Sequence, residues 1–272
     1  MLLSMAAFTL EDSCIKSAAG VVPLGYAVLI FGIGGALVFL GLMKSRGEAM
    51  VSADILSKAM LVRCVCEIIG RSFFALAIIL MPLSSASAIL QATPLVVVLG
   101  AAIYMNEKIS AAHWIAIFAG FAGVLMIVRP GPAEFNPASL FAVVSTLGFA
   151  GRDLATRAAS PRLSNFQLGF YGFLVLIAAG ICLSLFEDDG FAIDSVSALT
   201  LLAAILSGVI AYNALTVAMR SGSVSVVAPF RYSRVVFALI MGVVIFGEQP
   251  DLMTLCGTLV IVTSGIYILY SR

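Results

Sequence analysis

Apolar residues run along this chain in long blocks, and the polar stretches between them are short. Ten blocks approach the roughly 20 residues that a membrane-crossing helix needs. They cover residues 2–16, 24–43, 59–80, 85–105, 112–128, 138–158, 166–186, 196–219, 224–246 and 252–270. Turn-forming clusters such as Arg129-Pro130-Gly131-Pro132 and Ser160-Pro161 separate them. The shorter alternating segments of a membrane barrel are absent, and open strands would leave backbone groups unpaired in hydrocarbon. The pattern predicts an all-α polytopic membrane protein of ten transmembrane helices.

Composition agrees. The chain is 62% hydrophobic and 11% charged, against about 25% charged for an average soluble domain. The net charge of +1 points to no nucleic-acid partner; the implied partners are the lipid bilayer and a small-molecule substrate. Cys14, Cys64, Cys66, Cys182 and Cys256 all sit in apolar runs. Cys64-x-Cys66 lacks metal-ligand spacing, so neither a metal site nor a disulfide framework is expected. No cofactor motif occurs: the glycines around Gly32 and Gly120 follow no strand and read as helix-packing surfaces. The first apolar run has no basic flank and is broken by Glu11 and Asp12, so it reads as a first span rather than a cleaved leader. Lys44, Arg46, Lys58, Lys108, Arg157, Arg162, Arg220 and Arg272 fall at one set of span ends, Lys16 and Arg129 at the other. This asymmetry predicts cytoplasmic N and C termini, in the inner membrane of a bacterium.

The chain also repeats. Sliding it by 141 residues sets Ser4 on Ser145, Phe8 on Phe149, Asp12 on Asp153 and Lys16 on Arg157, and without a gap Ser84 on Ser225 and Glu107 on Glu248. Residues 1–131 and 138–272 are therefore read as two five-helix repeats. Five is odd, so the second is inserted upside down. Inverted repeats are the plan of many secondary transporters, with substrate held near the midplane between them.

Charged residues inside the spans cost roughly 2.5–3.5 kcal/mol each on insertion scales and so mark function by default. Four acids (Glu11, Asp12, Glu67, Asp153) and five bases (Arg63, Arg71, Arg152, Arg231, Arg234) lie there. Such a set suits a wet cavity that receives a zwitterion. The substrate-binding candidates are Glu67, Arg71, Gln91, Tyr212, Asn213, Arg231 and Tyr232. The 141-residue offset sets Gln91 on Tyr232 and Arg71 on Tyr212. Pro94 and Pro229 should kink the fourth and ninth spans. Arg63, Glu67 and Arg71 stack on one face as a ladder, and Asp12–Lys16 and Asp153–Arg157 are i,i+4 pairs. Glu11, Asp12, Arg152 and Asp153 are the gating or coupling candidates, and protons are a candidate coupling ion.

Three segments resemble one known family. They are residues 81–95, containing Pro82, Gln91 and Pro94; Asn106-Glu107-Lys108; and residues 120–131, ending Arg129-Pro130-Gly131. They look like an EamA-type repeat of the drug/metabolite transporter superfamily. Val227-Ala228-Pro229-Phe230-Arg231-Tyr232, Phe246-Gly247-Glu248 and residues 265–270 look like the second copy. The resemblance implies a ten-helix carrier with a central cavity, and among its branches the aromatic amino acid exporters fit best. Other branches take S-adenosylmethionine, nucleotide-sugars or cationic drugs. The first-helix glutamate of the small multidrug pumps has a counterpart in Glu11, but beside Asp12 and outside that family's pattern. An intramembrane enzyme would need a base matched to a nucleophile; the sole histidine, His113, has no serine motif at its depth. A receptor or scaffold predicts no path for a solute.

If Asp12 and Asp153 are symmetry-related gates, Asp12→Asn and Asp153→Asn should each alter transport or the balance of inward- and outward-facing states. Cysteine-accessibility labelling from the two sides reads this; two silent variants would remove both residues from gating.

Overall fold

A computed structural model of the 272-residue chain describes all residues except Ser52, 106–110, 130–135, Ala159, Pro161, Phe186, 188–192, 222–227 and 271–272. The helices are α1 (Leu2–Ala18), α2 (Leu24–Ser45), α3 (Lys58–Leu80), α4 (Leu83–Leu90), α5 (Thr93–Met105), α6 (Ala111–Val128), α7 (Ala138–Ala158), α8 (Asn165–Ser184), α9 (Ser195–Ser221), α10 (Ser233–Phe246) and α11 (Leu252–Tyr270). Short 3-10 segments lie at Ala53–Leu56 and Ala228–Tyr232. No strand occurs among the described residues. Among the described residues each predicted span has helical structure; the fourth is divided into α4 and α5, and the described part of the ninth begins with the 3-10 turn and continues as α10.

Local chemistry sets the ends. Ser164 and Gln167 form a reciprocal capping box at the start of α8, with bonds of 3.0 and 2.8 Å. Gly247 ends α10 at φ +61, which lets the Glu248 amide reach back to the Gly242 carbonyl at 2.9 Å. Within spans, hydroxyls return to carbonyls one turn earlier: Thr9 to Met5 at 2.9 Å and Ser13 to Thr9 at 2.8 Å.

The fourth span breaks where the sequence places Pro94. A proline lacks the N–H that the carbonyl four residues back would otherwise accept. That carbonyl belongs to Leu90, and the Thr93 hydroxyl donates to it instead, at 2.6 Å. Gln91 and Ala92 close the gap with tighter i→i−3 bonds to Ala88 and Ile89. Gln91 then donates through Nε2 to the carbonyl of Arg231 at 2.8 Å. The break in the fourth span is thus bonded to the 3-10 turn that precedes α10.

Exterior and interior are inverted relative to a soluble protein. Leu37, Ile115, Phe118, Leu199 and Val244 are all more than 60% exposed, while Glu11, Asp12 and Arg63 are at most 2% exposed. A surface of this kind needs lipid around it. α2, α8 and the Ser195–Ala218 part of α9 are, taken singly, long and apolar enough to cross a bilayer. Several of the others carry the buried charges.

Helix pairing has a two-fold pattern. α2 packs on α8 and α6 on α11, each pair mapping onto itself when the halves are exchanged; α3–α7 and α1–α9 map onto one another. One hydrogen bond reproduces the 141-residue offset at atomic level. The Ser4 hydroxyl donates to the Ala211 carbonyl at 2.8 Å, and that of Ser145 to the Gly70 carbonyl at 2.7 Å. Both members of the first bond move by the same offset onto the second. Contacts between connectors respect the parity of ten crossings. At one end of the bundle Glu248 meets Lys16 and Ser84, and Asp251 meets Arg129; at the other Ser164 meets Glu48 and Tyr171 meets Met50.

The α3–α7 contact relies on two glycines. A Cβ on Gly148 would stand 2.6 Å from the Gly70 nitrogen, whereas one on Gly41 would meet nothing within 4 Å. Gly148→Leu should therefore cost about 1–3 kcal/mol or more and lower the melting temperature in detergent. Gly41→Ala should leave it unchanged or raise it through helix propensity. Equal behaviour of the two variants would count against the close α3–α7 approach.

Candidate functional site

A cavity lies where the two halves meet. Its wall includes Met5 and Phe8 of α1, Glu67 and Arg71 of α3, Phe149 and Arg152 of α7, Phe173 of α8 and Gly208 and Tyr212 of α9. Gln91, Thr93 and Pro94 from the break in the fourth span, Arg231 from the 3-10 turn and Arg234 from the first turn of α10 complete it. The broken backbone therefore borders the cavity, where irregular structure is tolerated in a membrane protein.

Two ion clusters support this wall. In the first, Asp12 accepts from Arg234 at 2.5 Å and stands 3.7 Å from Arg71, which donates to Glu11. In the second, Asp153 pairs with Arg152 at 2.9 Å and with Arg231 at 3.1 Å, and Arg152 reaches Glu67 at 3.1 Å. Arg63 donates to Tyr212 and, at 3.2 Å, to the Thr156 hydroxyl. Aromatic rings hold the guanidinium faces: Arg71 over Phe31 at 5.2 Å, Arg152 over Phe149 at 4.7 Å, and Arg234 between Phe8 and Phe74 at 5.2 Å from each. Stacked faces leave the N–H edges to point elsewhere.

Several expectations from the sequence need correction. The Arg63–Glu67–Arg71 ladder is not self-satisfied: Arg71 turns to Glu11, sixty residues away, because a charge-assisted pair with a carboxylate on another helix locks two elements together. Asp12 does not pair with Lys16; its partners are Arg234 and Arg71, and Lys16 goes to Glu248. The Asp153–Arg157 pair lies outside the described residues through its Arg157 side chain, as do Glu107, Ser225 and the side chain of Pro229. Of the binding candidates, Glu67, Arg71, Gln91, Tyr212 and Arg231 line the cavity, and so do Arg152 and Pro94. Asn213 and Tyr232 do not. Tyr232 is 3% exposed and lays its ring against Gly265 of α11, so it packs the ninth span on the tenth. Glu11 and Asp12, at most 1% exposed, do not line the cavity, and neither does Asp153. The binding candidates omitted Arg234, whose i+3 spacing from Arg231 was the available signal, and Phe8, Phe149 and Phe173, which carry none in an apolar chain.

Glu248 forms a latch at one end of the bundle. Its carboxylate accepts from the amides of Leu83 at 2.6 Å and Ser84 at 3.1 Å, from the Ser84 hydroxyl at 2.7 Å, and from Lys16 at 3.0 Å. Lys16 also donates to the Met81 carbonyl at 3.1 Å. An acid at the N-terminus of α4 satisfies its free amides and meets the positive end of the helix dipole. The latch ties the first, fourth and ninth spans together.

The model of the EamA-like transporter family matches residues 136–271, half of the chain. The chain belongs to the EamA-like transporter family. Over 268 residues it is 28% identical to the pseudopaline exporter CntI of Pseudomonas aeruginosa, covering 97% of this chain and 92% of that one. It is 25% identical over 203 residues to the S-adenosylmethionine uptake transporter of Rickettsia conorii, covering 75% and 68%. It is 27% identical over 213 residues to the riboflavin transporter of Rhizobium johnstonii, covering 77% and 69%. A solved structure at 21% identity superposes with a TM-score of 0.67 over 98% of this chain and 95% of the other, a likeness of fold. The EamA-like assignment agrees with the resemblance noted for the second half of the chain; none of these relatives carries the name of an aromatic amino acid exporter.

Burial pushes the Glu248 carboxyl up, but the bonds from Ser84, Lys16 and Leu83 outweigh it and hold the group below the usual carboxylate range. A depressed folded value contributes stability above the unfolded pKa, about 4.3, and that stability is lost as pH falls through the folded value. Glu248→Gln should cost roughly 1.5–3 kcal/mol at pH 7. The gap between wild type and variant in thermal melts should narrow as pH falls below 5. A gap that persists or widens in acid would mean the carboxylate charge is not what holds the latch.

Proposed function

We propose that this chain is a secondary carrier that exports a small amphoteric metabolite, an amino acid or a close derivative, across the bacterial inner membrane by alternating access. The single observation that carries this reading is the cavity at the junction of the two halves, walled by guanidinium groups, one carboxylate and aromatic rings. Such a wall is costly to bury unless a solute of complementary charge occupies it. Phe8, Phe149, Phe173 and Tyr212 supply an apolar lining and favour aromatic amino acids. Glu67, Arg71, Gln91, Tyr212 and Arg231 are the substrate contacts in this reading, joined by Arg152.

The repeats 1–131 and 138–272 rock about the cavity, with termini on the cytoplasmic side. The reciprocal helix pairing supports this division. Asp12 and Asp153 act as paired gate elements, since each ties an arginine of the ninth span to a helix that leads its own repeat. Glu11 and Arg152 assist them, and protons are the candidate coupling ion. The uptake of S-adenosylmethionine by a relative offers a second direction and substrate. A cavity wall with four arginines and a single acid favours carboxylates over that cation.

Purified protein in liposomes should release preloaded labelled amino acids faster than empty-vesicle controls, and Arg152→Gln should reduce the rate at least about tenfold. Absence of flux for every amino acid and derivative tried, with and without a pH gradient, would overturn the carrier reading.

A further inference from the structure

The cavity arginines are held two by two. Asp12 stands 2.5 Å from Arg234 and 3.7 Å from Arg71, and Asp153 stands 2.9 Å from Arg152 and 3.1 Å from Arg231. The two aspartates are the residues that the 141-residue offset superposes. All four arginines line the cavity, and neither aspartate does. Each aspartate thus bridges two guanidiniums of the cavity wall. A guanidinium has five donors and matches a carboxylate edge to edge. Among the described residues, Arg231 commits Nη1 to Asp153, while Arg234 commits Nη2 to Asp12 and leaves a buried Nε without a partner.

The one acid in the wall is differently placed. Glu67 is 5% exposed, its Oε1 accepts from Arg152 at 3.1 Å, and its Oε2 has no hydrogen-bond partner, with Arg63 at 3.7 Å. That oxygen has an ion-pair partner in Arg63 but accepts no hydrogen bond, so it keeps acceptor capacity for one more donor. Counting Arg63, which stands 3.7 Å from Glu67, the two clusters hold five arginines against four acids. A solute of net charge −1 neutralises that excess, whereas a zwitterion leaves it and a cation doubles it.

We propose that the cavity recognises an amino acid derivative with two carboxylates and one amine. One carboxylate lies on the Arg71–Arg234 pair, the other on the Arg152–Arg231 pair, and the amine donates to Glu67 Oε2. Asp12 and Asp153 are positioning residues for the two clamps. The clamps come from both halves, so one solute that bridges them draws the repeats together on binding. This rests on the carrier reading and narrows its substrate from amino acids in general to net-anionic dicarboxylic ones. The aromatic lining leaves room in the same solute for an apolar side chain.

Purified full-length protein in liposomes would be given four probes as competitors and as labelled solutes. N-(carboxymethyl)-L-phenylalanine has both carboxylates and the amine. Benzylsuccinate has both carboxylates and no amine, L-phenylalanine lacks the second carboxylate, and L-lysine is a cation. The first is expected to bind at least about tenfold more tightly than either of the next two, with lysine last. Arg231→Gln and Arg234→Gln should each bring the first probe and phenylalanine to within about twofold of one another, and Arg231→Lys should fall between, keeping charge but losing the fork. Glu67→Gln should remove the advantage of the amine over benzylsuccinate. Phenylalanine or lysine equalling the first probe on the wild-type protein overturns the proposal whatever the variants do. So do arginine variants that fold, by thermal melt, and keep the wild-type preference. Flux with the wrong order defeats the substrate class alone; no flux of any solute defeats the carrier reading with it.

Discussion

Guanidinium–carboxylate pairing in a lipid-surrounded interior is the interaction on which the rest of this structure depends. An isolated charge at that depth costs several kcal/mol. Each arginine therefore needs an acid, and four of the five find one on another helix: Arg71 on Glu11, Arg234 on Asp12, Arg231 on Asp153 and Arg152 on Glu67. These pairs tie the first span to the third and ninth, and the sixth to the third and ninth. Lipid gives helices little hydrophobic reason to associate. Ion pairs, glycine contacts and carbonyl-directed hydroxyls supply it.

The break in the fourth span and the 3-10 turn before α10 are shaped by the same constraint. A broken helix in hydrocarbon must satisfy its freed groups, and here Thr93 covers the Leu90 carbonyl while Gln91 covers that of Arg231. The break and the turn bring Gln91, Arg231 and Arg234 to the cavity wall. The two halves are alike in backbone and unlike in side chains: Ser4 and Ser145 make equivalent bonds, but Glu11 corresponds to Arg152, Glu67 to Gly208 and Arg71 to Tyr212. A symmetric frame with asymmetric charges suits a mechanism in which the frame moves and an asymmetric solute is held.

Much of this was legible beforehand. The spans follow from apolar blocks, and the kink positions from Pro94 and Pro229. The repeat follows from Asp12 and Asp153 with their flanking matches. Glu67, Arg71, Gln91, Tyr212 and Arg231 could be picked out because a polar side chain in an apolar span is conspicuous. Tyr232 and Asn213 were equally conspicuous and do not line the cavity. A tyrosine can pack its ring on a glycine such as Gly265 as readily as face a solute, and only helix rotation distinguishes the two.

Span number, inverted duplication and the inventory of buried charges were already contained in the linear order of residues, because hydrophobicity and repetition are properties of neighbouring positions. Tertiary structure alone decided the partners. The i,i+4 acid–base pairs lie side by side in the chain, yet Asp12 chose Arg234, 222 residues on, and Lys16 chose Glu248, 232 residues on. Intrahelical pairs at lipid-facing ends gain a few tenths of a kcal/mol. A pair that closes between helices in a low-dielectric interior gains more and removes a larger desolvation cost. Which helices approach closely enough to offer that choice is set by packing, at contacts such as Gly70 on Gly148, and the chain does not spell it out.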